Sequence, residues 1–413
     1  MESRLESIED RLTLIDSRME ELTGRLDGQQ TQLDEVVTQL NGQKSQQDET
    51  TVTVNDLTER LSAIAIRMEK HTLKLKEIPI PKVEKGDDVL VKVVYCGICG
   101  TDLHAIKANY PTAEHDVTLG HEICGVVSEI GADVKTLKVG DKVTVDPYRG
   151  CYKCRYCAGG NPQYCLHEGP KNALGFFRDG GWAEYCLAPA QQVHVVPESM
   201  GLGLDLACLV ETLSTIQHGV DRIGMVPHDA NVLIIGAGII GILYACIFHL
   251  HGHKNVIISE PSNERRARID VLELGYKAMA PDQTREMMAK AAENLDAYGL
   301  DYVVDCSGYA PAVEEAFQWL RKGGRLCIFG VAPPTARISI APNQMFHKEL
   351  MILGTLTNPF CYPKATALTA AMGARYLAYD KLAIQTFDLK DYEKALSSLA
   401  SGVISKAVFK FSE

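Results

Sequence analysis

The sequence lacks the features of several functional classes. Its 413 residues contain no basic stripe and no lysine- and arginine-rich run studded with aromatics, so we expect no nucleic-acid partner. No apolar run follows residues 1–4, so we expect no secretory signal and a cytoplasmic protein. Residues 232–250 are apolar enough for a membrane span, but Gly236, Gly238 and Gly241 favour a buried strand, a turn and a buried helix. We therefore expect no membrane partner.

The first sixty residues also lack proline, aromatic residues and cysteine, and they hold 14 acidic and 6 basic side chains. Apolar residues alternate spacings of three and four from Leu5 to Leu40, and the register recovers at Leu61. This pattern predicts a coiled-coil extension over residues 1–61, with a disordered acidic tail as the alternative. Leucine at a and isoleucine at d favour trimers or tetramers, so we expect a homo-oligomer, with a tetramer favoured. A docking helix for another protein is the competing interpretation.

A β-rich region begins near Ser62, where the apolar spacing changes to alternation. A linking helix is expected over residues 200–226. From Asn231 onward strands alternate with amphipathic helices, which predicts a parallel sheet. Its strands are expected at residues 232–235, 256–259, 302–305, 325–329 and 351–354. A last strand at 407–411 is expected to return to the first domain, which gives one domain over 62–200 with about 380–413, and another over 201–379.

Thirteen cysteines in a chain expected to be cytosolic indicate metal binding or buried thiols rather than disulfides. Four of them lie within fifteen residues, at Cys151, Cys154, Cys157 and Cys165. The spacing C-x2-C-x2-C-x7-C among turn formers favours a structural zinc site. An iron–sulfur cluster shares the first three spacings, but no proline follows the last cysteine and the sequence has no second cluster motif. Free buried thiols are the remaining alternative.

A second set of metal-binding residue types follows a predicted strand. Cys99 opens the stretch Cys-Gly-Thr-Asp-Leu-His, and His121 and Glu122 come about twenty residues later. Thiolate, imidazole and carboxylate in combination predict a catalytic zinc site with one exchangeable position. Each residue alone is weak evidence, because an isolated cysteine or histidine more often belongs to the core.

A glycine fingerprint, G-x-G-x-x-G, follows the strand at 232–235 and opens a helix. Glycines let the backbone approach a pyrophosphate, and Glu260 at the end of the next strand is placed to bind the adenosine ribose. NAD is therefore expected rather than NADP, although Arg265 and Arg266 lie near enough to turn toward a phosphate. A helix-packing glycine cluster is the alternative. The predicted cofactor-binding residues are Gly236, Gly238, Ile239, Ile240, Gly241, Glu260 and Arg265.

Residues 62–413 resemble the medium-chain zinc-dependent alcohol and polyol dehydrogenase family. The resemblance rests on four motifs in the family's order: the Cys99 motif, Gly-His-Glu, the four-cysteine lobe and the glycine fingerprint. The resemblance implies an α/β protein with a GroES-like β-rich catalytic domain and a Rossmann doubly wound parallel sheet. Residues 209–213 are most similar to the sorbitol and threonine dehydrogenase branch, which implies Glu211 as a further catalytic zinc ligand, direct or through water. Thr212 replaces the proline usual in that branch. A helix-surface carboxylate is the alternative for Glu211.

The same resemblance implies hydride transfer from an alcohol carbon to the nicotinamide, and the two ligand sets predict two zinc ions per chain. The catalytic residues it implies are Cys99, Thr101, His104, His121 and Glu122. Thr101 would pass the substrate proton and His104 would shuttle it to solvent, although His104 is equally compatible with a surface residue. Asp102 would hydrogen-bond His121 and fix the tautomer of its imidazole.

The substrate is not determined by these motifs. On resemblance alone we expect a polyol or sugar alcohol, with L-threonine, butanediol and simple alcohols as alternatives. A zinc-free quinone or enone reductase on the same fold would lack Cys99, His121 and the four cysteines, and all are present. A coiled-coil scaffold with an inactive body would show damage at Cys99, Thr101, His121 or the glycines, and the sequence has none.

Overall fold

The computed structural model divides into two units, Met1–Leu61 and Ser62–Glu413. It describes residues 62–411 except 109, 114 and 295–298, and in the first unit only Arg18, Thr23 and Gly24. The predicted coiled coil therefore lies outside the described residues.

Sixteen strands are found in the described part of the second unit, and most of them belong to two large sheets. In chain order they are β1 (Ser62–Glu69), β2 (Thr72–Pro79), β3 (Asp88–Ile98), β4 (Val117–Thr118), β5 (Glu122–Ile130), β6 (Lys142–Val145), β7 (Tyr185–Pro189), β8 (Val193–Val195), β9 (Val232–Ile235), β10 (Val256–Ser259), β11 (Lys277–Met279), β12 (Leu300–Asp305), β13 (Leu320–Ile328), β14 (Met351–Gly354), β15 (Ile384–Phe387) and β16 (Lys406–Lys410).

The helices of the same unit lie mainly in its second half. They are α1 (Gly100–Ile106), α2 (Arg155–Ala158), α3 (Leu204–Ala207), α4 (Val210–Ile223), α5 (Ile239–Leu250), α6 (Asn263–Val271), α7 (Pro281–Ala291), α8 (Ala310–Gln318), α9 (Pro342–Lys348), α10 (Tyr362–Leu377) and α11 (Tyr392–Ala400). Short 3-10 turns also occur, at Pro162–Tyr164, Gly169–Asn172, Ala190–Gln192, Glu198–Met200 and Leu389–Asp391.

The first large sheet has the order β15-β16-β3-β5-β6-β8, with β7 also paired to β3. Its central strand β3 is buried along nearly its whole length, because the sheet packs apolar residues on both faces. The C-terminal strand β16 pairs antiparallel with β3, so that Ala407 lies opposite Ile98. The end of the chain thus lies beside the strand that leads to Cys99. A small sheet of order β2-β1-β4 accompanies the large one.

The second large sheet is parallel and has the order β11-β10-β9-β12-β13-β14. Its central strand β9 is a short run of buried β-branched and leucine residues, as expected for a strand covered on both faces. The strand order reverses direction between β9 and β12, and ligands of open α/β sheets bind in the crevice at such a point. This is the parallel sheet that the alternation predicts, and its order is the doubly wound one that the family resemblance implies.

Residues 232–250 form β9, a glycine turn and α5, as the glycine spacing predicts. In the part of the chain that the structure describes, no helix has the length and apolar character that a membrane crossing requires. The expected linking helix over 200–226 is wrong in detail, because α3 and α4 are separate helices. α4 ends at Ile223, because the φ of 79° at the following Gly224 takes the chain out of the helical region.

Candidate active site

Three side chains of different ligand types meet at the end of β3 and the start of β5. Ligand atoms of Cys99, His121 and Glu122 all lie within 4.8 Å of one another. Cys99 caps α1, and its backbone N–H donates to Oδ2 of Asp102 at 2.8 Å, which fixes the turn between strand and helix. The two motifs are adjacent in space because β3 and β5 pair antiparallel, with Gly97 opposite Glu122. The arrangement can hold a metal ion.

The imidazole of His121 is held by the same aspartate. Its Nδ1 lies 3.1 Å from Oδ1 of Asp102, and both side chains are buried. Burial alone would lower the pKa of His121, but the Asp102 carboxylate and the nearby Cys99 sulfur raise it, and the net pKa lies well above its usual range. The hydrogen bond directs Nε2 away from Asp102, where it is available as a ligand.

Glu122 has a partner that sequence reasoning missed. Its carboxylate lies 2.5 and 2.7 Å from Nζ of Lys406, and the hydroxyl of Thr212 donates to its Oε1 at 3.2 Å. The side chains of Glu122 and Lys406 are 1% and 2% exposed. Because Lys406 is 284 residues away in the chain, no local motif indicates the pair. The Glu122 carboxylate therefore belongs to the metal-binding group and is also paired with the buried ammonium of Lys406.

Glu211 lies on α4 and is buried, but it is not among the three residues grouped within 4.8 Å. Burial raises the pKa of its carboxyl, His121 lowers it and the neighbouring Glu122 raises it, so that the net pKa is about 7. The structure therefore contradicts the alternative of a surface carboxylate, because Glu211 faces the interior beside the ligand group.

The two residues proposed to move a proton lie in different surroundings. Thr101 is half-buried, and its hydroxyl lies 3.5 Å from Cys99 Sγ. His104 lies one helical turn further along α1 and is exposed. The structure thus brings Thr101 to the ligand group and places His104 at the solvent side of the helix.

The four cysteines of the lobe converge although they come from loops and short helices. Their sulfur atoms all lie within 4.8 Å of one another. Backbone N–H groups donate to the sulfurs, as Cys151 and Glu168 do to Cys165 Sγ at 3.3 Å. Such donors also lower the pKa of the Cys154 thiol to about 6. Backbone donors therefore favour the thiolate form of Cys154 and Cys165, which is the form that binds metal, whereas burial raises the pKa of the Cys157 thiol.

The glycine fingerprint forms one wall of a cavity of about 450 Å³ at the carboxyl ends of the parallel strands. Gly236 has a φ of 99°, which disfavours any residue with a side chain. A Cβ on Gly241 would lie 1.9 Å from the Gly236 carbonyl oxygen, so the turn closes only with glycine there. Gly238 caps α5 and lines the cavity, while Ile239 and Ile240 begin the helix behind it.

Glu260 lies at the same cavity and is rigidly held. Its two carboxylate oxygens accept hydrogen bonds from the backbone N–H groups of Ala237 and Ser262, at 2.8 and 2.9 Å. Arg265 lines the cavity. Arg266 instead donates to the carbonyl oxygens of Glu260 and Pro261, so its guanidinium is engaged with the backbone.

Comparison with known proteins agrees with this geometry. Residues 85–198 match the alcohol dehydrogenase GroES-like domain, and residues 238–371 match the zinc-binding dehydrogenase family. D-arabinitol dehydrogenase 1 of Uromyces fabae is 30% identical over 78% of this chain and 90% of that protein. L-threonine 3-dehydrogenase of Pyrococcus abyssi is 30% identical over 86% of this chain and 99% of that protein.

A solved structure from Sinorhizobium meliloti 1021, described as a zinc-binding dehydrogenase bound to NADP, superposes with a TM-score of 0.76 and 31% identity. The superposition covers 85% of this chain and 99% of that one. Both large sheets thus have counterparts in one relative. The chain belongs to the medium-chain zinc-binding dehydrogenase family, and it is a dehydrogenase.

Proposed function

We propose that the chain oxidises a secondary alcohol, with a polyol or sugar alcohol as first choice, by transferring a hydride from the alcohol carbon to NAD. The observation that carries the proposal is the convergence of Cys99, His121 and Glu122 in a chain of this family. The choice of a polyol is supported by relatives such as the D-arabinitol dehydrogenase. L-Threonine is the second candidate, because a threonine dehydrogenase is equally identical over a longer stretch.

The donor chemistry at both metal-binding groups fits zinc. Thiolate, imidazole and carboxylate are all zinc ligands, and four thiolates in a compact lobe suit a closed tetrahedral site. The catalytic ion would be held by Cys99, His121 and Glu122, with Glu211 as a further ligand. The structural ion would be held by the four lobe cysteines. When bound, the catalytic ion supplies a Lewis acid for the substrate oxygen. We propose two zinc ions per chain.

The protein's own residues orient the ligands and move the proton in this proposal. Asp102 fixes the tautomer of His121 through the 3.1 Å contact. Lys406 orients the Glu122 carboxylate and compensates its charge. Thr101 relays the substrate hydroxyl proton: its oxygen accepts that proton as its own hydroxyl proton passes to His104, which releases a proton to solvent from the exposed face of α1.

NAD is proposed as the preferred cofactor over NADP. The Glu260 carboxylate is fixed by two backbone donors in the nucleotide cavity, where its charge would repel a ribose 2′-phosphate. Arg265 opposes this preference, whereas Arg266 is occupied by backbone carbonyls. Separate Michaelis constants for NAD and NADP test the preference, and a lower value for NADP would contradict it.

Assembly into a homo-oligomer is also proposed, with a tetramer favoured by the heptad pattern of residues 1–61. Strand β14 lies at the edge of the parallel sheet, and edges of this kind offer unpaired backbone groups to a partner. Apolar side chains near that edge are exposed, among them Phe346 and Met351. We further propose a reducing, cytoplasmic location, which the thirteen unpaired thiols support.

The test is a substrate panel read by NADH absorbance at 340 nm, a wavelength specific to the reduced cofactor. Pentitols and hexitols, L-threonine, butane-2,3-diol and a simple secondary alcohol are compared with the zinc-loaded enzyme. The proposal expects the highest kcat/KM for a polyol. Cys99→Ser and His121→Ala should abolish turnover while circular dichroism stays unchanged. Full activity without Cys99, or no turnover of any alcohol, would contradict the proposal.

A further inference from the structure

Three histidines lie together at the amino ends of the parallel strands, at the opposite end of that sheet from the nucleotide cavity. His228 is in the segment between α4 and β9, and His251 and His253 are in the turn between α5 and β10. We call these three residues the histidine cluster. None of them belongs to the Cys99 group or to the four-cysteine lobe, and the proposed oxidation makes no use of them.

The fold brings the three rings of the cluster to one place. The ring centroids of His228 and His253 are 5.4 Å apart. Gly252 separates His251 from His253, and its φ of 83° lets the chain turn directly after α5. A Cβ on Gly252 would lie 3.6 Å from Nδ1 of His228, so the His228 ring lies over the turn between the other two histidines. Imidazoles from two separate segments are therefore neighbours.

His253 is oriented in the way that a metal-bound histidine usually is. Its Nδ1 lies 3.2 Å from the carbonyl oxygen of Pro227, and because a carbonyl oxygen only accepts, Nδ1 carries the hydrogen. The lone pair of the neutral ring is then on Nε2, with the backbone carbonyl as support behind it. Phe248 makes a T-shaped contact with the ring at 5.3 Å, and the Tyr276 hydroxyl donates to the His253 carbonyl oxygen at 2.7 Å. This histidine is thus fixed in place.

The free nitrogen of His253 reaches solvent although the residue is 6% exposed. No described residue forms a hydrogen bond with Nε2, and Nε2 is not one of the fully enclosed side-chain atoms that lack a partner. It therefore keeps a surface open to solvent. His228 and His251 are exposed. An ion from solvent can therefore reach all three rings.

The electrostatic neighbours of the cluster include its own members. Burial lowers the pKa of His251, and His228 lowers it further. Burial also lowers the pKa of His253, the Pro227 carbonyl raises it, and His228 and His251 lower it, so that the net pKa lies below its usual value. A neutral imidazole is the form that binds a metal ion. A dication bound to neutral rings replaces the repulsion between protonated ones by attraction.

The separation of the rings fits a shared ion. Two imidazoles that bind one zinc ion tetrahedrally, each with a Zn–N distance of about 2.0–2.1 Å, have ring centroids about 5 Å apart. The rings of His228 and His253 already have this spacing. The ligand atoms of all three histidines do not lie within 4.8 Å of one another, so an exposed ring has to rotate when an ion binds. Imidazole ligands favour zinc, nickel and copper, whereas calcium and magnesium prefer oxygen ligands.

We propose that the histidine cluster binds a divalent transition-metal ion such as zinc, as a third metal site besides the Cys99 group and the four-cysteine lobe, with His253 as its fixed ligand. The ion joins the segment that follows α4 to the turn that follows α5. It thereby fastens the helix that carries Glu211 to the helix that begins at the glycine fingerprint. The inference does not depend on which alcohol the enzyme oxidises.

The test titrates Zn²⁺ into the zinc-loaded enzyme by isothermal calorimetry in a buffer that does not chelate metals. One further ion per chain should bind with a micromolar Kd. His228→Ala and His251→Ala, both at exposed positions, should each weaken this Kd at least tenfold, because even loss of a hydrogen bond behind a ligand weakens metal binding about 10–100-fold. The matched control is His347→Ala, at an exposed histidine of α9 outside the cluster, and it should leave the Kd within about twofold.

Urea unfolding gives a second measurement of the same site. Excess Zn²⁺ should raise the unfolding midpoint of the zinc-loaded enzyme, because the ion binds the folded state, and should not raise that of the double variant His228→Ala/His251→Ala. His253→Gln should also lose the further ion, and the two exposed variants decide the question if it does not fold. Absence of a further ion at millimolar Zn²⁺ would overturn the inference. An equal Kd in the original enzyme and in both exposed variants would overturn it as well.

Discussion

Replacing Lys406 by methionine tests whether the Lys406 ammonium stabilises the folded protein by compensating the buried charge of the Glu122 carboxylate. The lysine ammonium lies 2.5 Å from the Glu122 carboxylate, and the two side chains are 2% and 1% exposed. Methionine keeps the length and most of the apolar packing of lysine but carries no charge. The substitution therefore leaves Glu122 buried with the Thr212 hydroxyl, 3.2 Å away, as its remaining hydrogen-bond donor among the described side chains.

The expected loss of stability is about 3–5 kcal/mol, because removing one partner of a buried ion pair leaves an uncompensated charge out of water. The control is Lys364→Met, which breaks an exposed pair with Asp221 at 2.8 Å and should cost about 1 kcal/mol or less. The double variant Lys406→Met/Glu122→Gln should recover much of the loss, because it removes both charges together.

Urea unfolding followed by circular dichroism at pH 7 measures these differences in metal-free and zinc-loaded protein. In the zinc-loaded form Lys406→Met should cost less, since a bound cation would also compensate the Glu122 carboxylate. The reasoning is refuted if Lys406→Met is no more destabilising than Lys364→Met. It is also refuted if the double variant is as unstable as the single one, since the loss then does not come from the unpaired carboxylate.

Two further predictions concern the lobe and its surroundings. Cys154→Ser should lower the zinc content from two ions per chain to one and lower the unfolding midpoint. The control variant Lys153→Ser, at the neighbouring residue, should change neither quantity. Retention of both zinc ions by Cys154→Ser would contradict the proposed zinc site in the lobe. The pKa of His194, about 4 when folded, lies below its usual value, so the folded state binds fewer protons than the unfolded one and stability falls as pH drops from 7 to 5. The contribution is about 2 kcal/mol over that range. Urea unfolding at pH 7 and pH 5 should show a smaller loss of stability in His194→Gln than in the original protein, whereas His104→Gln should lose as much as the original. An equal loss in His194→Gln and the original protein would refute the assignment of this pH dependence to His194.

The regular parts of the parallel sheet could be predicted from the sequence. The strands expected at 232–235, 256–259 and 351–354 are found at those residues, because each is a short apolar run that ends at turn or cap residues. The short strand Lys277–Met279 was missed, since three residues carry no usable periodicity. The separation of α3 from α4 was missed as well, because apolar spacing continues through the break and tertiary packing decides where the helix stops.

The candidate site was predictable only where its residues are neighbours in the chain. Cys99 stands three residues from Asp102, and His121 is adjacent to Glu122, so two short motifs contain most of the metal-binding group. Lys406 was missed because its meeting with Glu122 depends on the pairing of β16 with β3.

The strand that carries Lys406 is itself held by the other half of the protein. Arg268, on α6 beside the nucleotide cavity, donates from Nη2 to the carbonyl oxygens of Gly402 and Val403 at 2.7 and 2.8 Å. These two residues form the turn that precedes β16. The position of the ammonium next to Glu122 therefore depends on contacts with the helix that follows Glu260, as well as on the sheet that supplies Cys99. The first large sheet and its strand ends supply Cys99, His121, Glu122 and Lys406, but the turn before β16 is hydrogen-bonded to α6, so the position of Lys406 depends on both halves of the unit from Ser62 onward.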